Sequence, residues 1–97
     1  MKLKFLPEAR EEFFEASVYY ESKEIGLGIR FRDEAAHVLE QMLSDPYLWR
    51  ERAGGYRRVN FPVFPYYTAY FIRDNVIIVA AVAHGHLKPG YWKKRVT

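Results

Sequence analysis

The sequence predicts an α+β domain in which a helical hairpin covers one face of a small, mainly antiparallel sheet, in the order β-α-α-β-β-β. Three observations carry this expectation. Within the first 45 residues, apolar side chains recur twice at steps of four, three and four, the spacing of a helix face. From Tyr56 onward the pattern turns into short runs rich in Val, Ile, Tyr and Phe, divided by Pro62, Pro65 and Asp74-Asn75. A length of 97 residues, with 49% apolar and 18% aromatic side chains, suits one packed core spanning 1–97 and leaves no room for a second domain.

Lys2 to Leu6 alternates polar and apolar residues, as a strand with one buried face does, and Pro7 then stops the pairing. Pro7 fits the first position of a helix, and Glu8, Glu11 and Glu12 follow where carboxylates favour the positive end of the helix dipole. Ala9, Phe13, Ala16 and Tyr20 share one face of this first helix, with Glu8, Glu12, Glu15 and Lys23 expected mostly away from it. Gly26-Leu27-Gly28 breaks the pattern. The second helix is read from Phe31, through Ala35, Val38 and Met42, with Leu39 and Leu43 widening the stripe until Asp45-Pro46 ends it.

After a loop through Trp49 and Gly54-Gly55 come three strands, Tyr56 to Asn60, Tyr66 to Arg73 and Val76 to His84, the last two joined as a hairpin at Asp74-Asn75. Val76 to Ala83 is apolar without alternation, which predicts a strand buried on both faces in the middle of the sheet. At eight residues this longest apolar run falls short of the roughly 18 to 20 that span a bilayer, and the stretch before Pro7 is too short for an export signal. With no cysteine for a disulfide or a thiolate-bound zinc, a cytoplasmic protein held by core packing is expected.

The net charge of +3 conceals a division. Residues 1–45 carry 6 basic and 10 acidic side chains, and residues 46–97 carry 9 basic and 2 acidic ones, balances of −4 and +7. A surface built from the second half attracts an acidic partner or a phosphate backbone in a salt-dependent way; a merely solvated basic surface is the plainer reading. Arg57 and Arg58, adjacent on a strand, point to opposite faces, so one of them meets solvent or a ligand. Arg73, Lys93, Lys94 and Arg95 add cations beside Tyr91 and Trp92, a mixture suited to phosphates and stacked bases.

Other chemistry finds little support. His84 and His86 fall on one face of a strand, but a metal site needs further ligands, and His37 is placed on a helix surface; no metal and no cofactor are expected. Gly26-x-Gly28 and Gly54-Gly55 lack the spacing of a nucleotide loop. Ser17, Ser22 and Ser44 fall in or beside helices with no nucleophile elbow around them. Tyr66, Tyr67, Tyr70 and Phe71 read as core and sheet surface.

In order along the chain, Gly55-Tyr56-Arg57-Arg58-Val59, Phe64-Pro65-Tyr66 leading to Tyr70, Val82-Ala83-His84-Gly85, and Pro89 with Trp92 and Arg95 form a set that resembles the RelE/ParE superfamily of toxins. The resemblance runs over nearly the whole chain, including the helical hairpin that closes at Asp45-Pro46. It implies a growth-inhibiting toxin of a type II toxin-antitoxin, or plasmid stabilisation, system, neutralised by a small cognate antitoxin in a hetero-oligomer.

That superfamily has two kinds of target. Members similar to RelE cut messenger RNA in the ribosome, holding the phosphate with arginines and using a tyrosine or another acid/base near the C-terminus. The first of those arginines falls on Tyr67 here and the second on His86 or Leu87, so both are missing. Each such electrostatic contact on the transition state is worth about 2–4 kcal/mol. Arg58, His86 and Tyr91 are the candidate catalytic replacements. ParE-like members, which poison DNA gyrase, need no such set, and the resemblance favours that reading. A non-toxic binding module of the same fold is a third reading. Arg57, Arg58, Arg73, Trp92, Lys93, Lys94 and Arg95 are the candidate target-binding residues.

Overall fold

A computed structural model describes residues 1–96. Strand β1 (Lys2–Phe5) leads into helix α1 (Pro7–Lys23) and helix α2 (Leu27–Ser44). Strands β2 (Arg57–Asn60), β3 (Tyr66–Arg73) and β4 (Val76–His84) follow, and a short 3-10 helix covers Lys93–Val96. The sheet order is β1-β4-β3-β2, with β1 parallel to β4 and the other pairs antiparallel. The expected order of elements is met, and no helix of the described residues is long and apolar enough to cross a membrane.

Pro7 opens α1, and Glu8 in its first turn and Lys23 in its last complement the helix dipole. The second helix starts one turn before Phe31, where the sequence pattern placed its beginning. Gly26 takes a left-handed conformation (φ 89°) that turns the chain, and the Glu21 carboxylate accepts the N–H groups of Gly26 and Gly28 at 2.9 and 3.0 Å, capping α2 from α1. Gly28 also lets the helices close up: a Cβ there would lie 2.5 Å from the Ser17 carbonyl oxygen. Asp74 and Asn75 both have positive φ, the geometry that matches a two-residue turn to the twist of β3 and β4. Tyr56 stands just outside β2, bridged instead to Arg52.

Strand β4 is central, as its unbroken apolar run foretold, and its two faces meet different partners. On one face Tyr70, Ile77, Val79 and Val82 pack under Ala9 and Ala16 of α1 and Phe31, Ala35, Val38 and Met42 of α2. Phe31 lies against the rings of Phe13, Tyr20, Phe61, Phe64 and Tyr66. Burying such a ring contributes about 1.5–3 kcal/mol. The other face is built from Tyr67, Ala69, Phe71, Ala80, Ala81 and Ala83, and Trp92 closes it. The register slips between Ala69 and Tyr70, which pair with Ala81 and Val79; Ala80 is the extra residue of a bulge.

Candidate functional site

The bulge is where the C-terminal segment is tied down. Strand β1 ends opposite Val79, so beyond it the outer edge of β4 has no neighbouring strand. Glu12 and Arg95 occupy this edge. Arg95 Nη1 donates to the Ala80 carbonyl at 3.1 Å, and the Glu12 carboxylate accepts the Val82 N–H at 3.1 Å. The two side chains join by a two-pronged ion pair of 2.8 and 3.0 Å. The Tyr91 hydroxyl donates to the second Glu12 oxygen. One carboxylate thus receives a backbone amide, a phenol and a guanidinium, all on the half-covered edge of the sheet. The hydrogen bonds that Arg95 donates to Glu12 raise its pKa and outweigh its desolvation. Burial, then the hydrogen bond to Glu12, raises the Tyr91 pKa.

Glu12 was expected to face away from the core, and the structure corrects this. Its sequence position does carry the signal: it stands three residues after Ala9 and four before Ala16, inside the stripe that α1 turns toward the sheet. Read as one of several helix-surface carboxylates, it is lost among Glu8, Glu11 and Glu15.

The expected functional residues divide by what holds them. Trp92 has 0% exposure, its indole N–H donates to the Tyr67 hydroxyl at 3.2 Å, and it presents no surface to a partner. Arg95 is committed to Glu12 and Ala80. Arg57 and Arg58 do take opposite faces. Arg57 donates to the Trp49 carbonyl at 2.5 Å and lies by the Tyr47 ring, whereas Arg58 sits 3.8 Å over the Tyr67 ring and donates to Asn60 Oδ1 at 2.9 Å. Tyr91 is drawn to Glu12 and His86 packs against His84, with ring centroids 5.0 Å apart. Tyr91 and His84 line one groove; Arg58 belongs to the far strand β2.

Arg73, Lys93 and Lys94 are exposed. Arg73 and Lys93 flank a cleft of about 120 Å³ with Tyr56 and Phe71, Arg73 lying 5.3 Å from the Phe71 ring and Lys93 5.5 Å from the Tyr56 ring. This arrangement offers cations and ring faces to an anionic or stacking group. Among the described residues no group of three or more His, Cys, Asp or Glu side chains is placed to hold a metal.

No family model matches the sequence, and no curated protein matches it either. A solved structure does: a chain described as "Chromosomal ParDE TA system from P. aeruginosa" superposes with a TM-score of 0.73 over 87% of this chain and 95% of that one. The chain has a ParE-like fold. Sequence identity is 13%, so the likeness to the ParDE chain is one of architecture: two helices on a four-stranded mixed sheet.

Proposed function

We propose that the chain is the toxin of a type II toxin-antitoxin system of ParE type, inhibiting growth through DNA gyrase and neutralised by a cognate antitoxin. The observation that carries this reading is the ParE-like fold over 87% of the chain. The local chemistry agrees with a toxin that acts by binding. Of the candidate catalytic residues, Tyr91 donates to a carboxylate, His86 packs against the His84 ring, and the one cation, Arg58, lies over Tyr67 and donates to Asn60. A phosphate undergoing transfer needs cations fixed around it, and this one is otherwise engaged. Arg73, Lys93 and Lys94 are the residues assigned to the target contact. The antitoxin in this reading brings acidic side chains to the +7 half, with association that slows as salt rises.

Induced expression in a bacterium tests the reading. Growth stops when the chain alone is expressed and resumes on coexpression with the short gene beside it. Undiminished growth at confirmed expression of folded protein contradicts a toxin.

A further inference from the structure

The same strand edge that Glu12 and Arg95 occupy continues past them uncovered. Val82 turns its N–H to Glu12, away from β3, and in an extended strand its carbonyl and the N–H of His84 two residues later point the same way. Gly85 confirms the alternation, since its N–H turns back across the sheet to the Pro65 carbonyl at 2.8 Å. An acceptor at Val82 and a donor at His84 therefore face outward, two groups of the kind an added strand pairs with.

Beside them lies a groove of about 340 Å³ between α1 and the Leu87–Tyr91 segment. Tyr19 and Leu87, each half exposed or more (54% and 50%), form its rim, and Tyr66, Tyr91 and Glu15 line it. The charge of this groove is opposite to that of the C-terminal half. Arg95 matches Glu12, whereas Glu15 has no ion-pair partner among the described residues. The His84 Nδ1 accepts the backbone N–H of His86 at 3.0 Å, within its own loop. A carboxylate among tyrosine faces recognises a guanidinium or an ammonium group.

We propose that the open edge of β4 takes an extended segment of a partner protein whose backbone pairs with Val82 and His84 and whose arginine or lysine side chain enters the groove against Glu15. The inference rests on the antitoxin reading for the source of that segment, and it adds that an antitoxin otherwise matched to a cationic half carries a basic residue at this one point. Charge complementarity selects the side chain, and the unpaired backbone selects the extended conformation.

The probes are two capped tripeptides, acetyl-Val-Arg-Val-amide and acetyl-Val-Glu-Val-amide, titrated into the ¹⁵N-labelled full chain. Amide shifts concentrated at 82–84 and 15–19 are expected with the arginine peptide, which binds at least about threefold more tightly than the glutamate peptide, as a partly exposed ion pair allows. Glu15→Gln removes that preference, and Lys93→Gln, on the opposite side of the charge division, preserves it. No shift with the arginine peptide, shifts centred on Arg73 and Lys93, or equal binding of both peptides overturns the proposal. Growth arrest on expression without peptide binding overturns the groove and leaves the toxin reading in place. Peptide binding without growth arrest supports the groove and contradicts the toxin.

Discussion

The two faces of the sheet are closed in different ways. The helix face is covered by 35 residues of hairpin, with Phe31 gripped by rings from α1 and from the segment around Phe61 to Tyr66. On the opposite face Ala69, Ala80, Ala81 and Ala83 leave room for Trp92, whose ring lies 4.6 Å from Tyr56 and 6.1 Å from Phe71. What holds that plug is polar: Tyr91 and Arg95, on either side of it, both bind Glu12 of α1. The first face is secured by many apolar contacts from two helices, and the second by a smaller cluster around one indole whose segment is tied down at one carboxylate. The difference separates a rigid scaffold from a segment whose attachment depends on few groups, and the exposed cations Lys93 and Lys94 ride on that segment.

Truncating the centre of each face sharpens the contrast. Phe31→Ala removes a fully buried ring and costs about 4 kcal/mol, a large part of the stability of a domain this size. Denaturant unfolding followed by hydrogen exchange reports protection lost throughout. Trp92→Ala costs about 3 kcal/mol, and exchange shows the loss concentrated in 88–96, with α1 and α2 protected. Uniform loss in both variants breaks the distinction between the faces.

Glu12→Gln comes next, at about 2 kcal/mol. It removes the charge opposite Arg95 and turns one acceptor of Val82, Tyr91 and Arg95 into a donor. Exchange in the C-terminal segment rises, as with Trp92→Ala, while the helix face is unchanged. An effect confined to the start of α1 would show that the carboxylate serves the helix and not the segment.

The smallest effect appears at high pH. Burial pushes the Tyr70 pKa up to about 12, and its hydroxyl donates to the Pro46 carbonyl at 2.6 Å. The folded state therefore holds this proton more tightly than the unfolded chain, whose tyrosines titrate near about 10. The contribution is complete below about pH 10 and is lost between about pH 10 and 12, at up to about 1.4 kcal/mol per pH unit. Tyr70→Phe loses about 1 kcal/mol at neutral pH and flattens the alkaline slope of urea stability across that window.

Regular packing made much of this legible in the sequence. The steps from Phe31 to Met42 are the buried face of α2, the ends of β3 and β4 fall where the prolines, the Asp74-Asn75 turn and the apolar run place them, and alternation puts Arg57 and Arg58 on opposite faces. The C-terminal segment was not legible. Its docking depends on the bulge at Ala80, and Val79-Ala80-Ala81-Val82 is apolar throughout, so nothing in it marks the residue that drops out of register. Without the bulge, neither the Ala80 carbonyl that Arg95 fills nor the place of Trp92 can be foreseen, and both residues read as exposed tail. The start of α2 was hidden for a similar reason: its cap is Glu21, which reaches over from the preceding helix.

The central claim is that the chain acts by binding gyrase through the cations exposed beside the Trp92 plug. It is tested most directly by adding the pure folded protein to a purified DNA gyrase supercoiling reaction and, in parallel, to a translation extract. The account predicts cleaved DNA trapped in the first, weakened by Lys93→Glu and Lys94→Glu, with messenger intact in the second. Messenger cut at the ribosomal A site, with the cuts lost in His86→Ala or Tyr91→Phe and no cleaved DNA trapped, would contradict it.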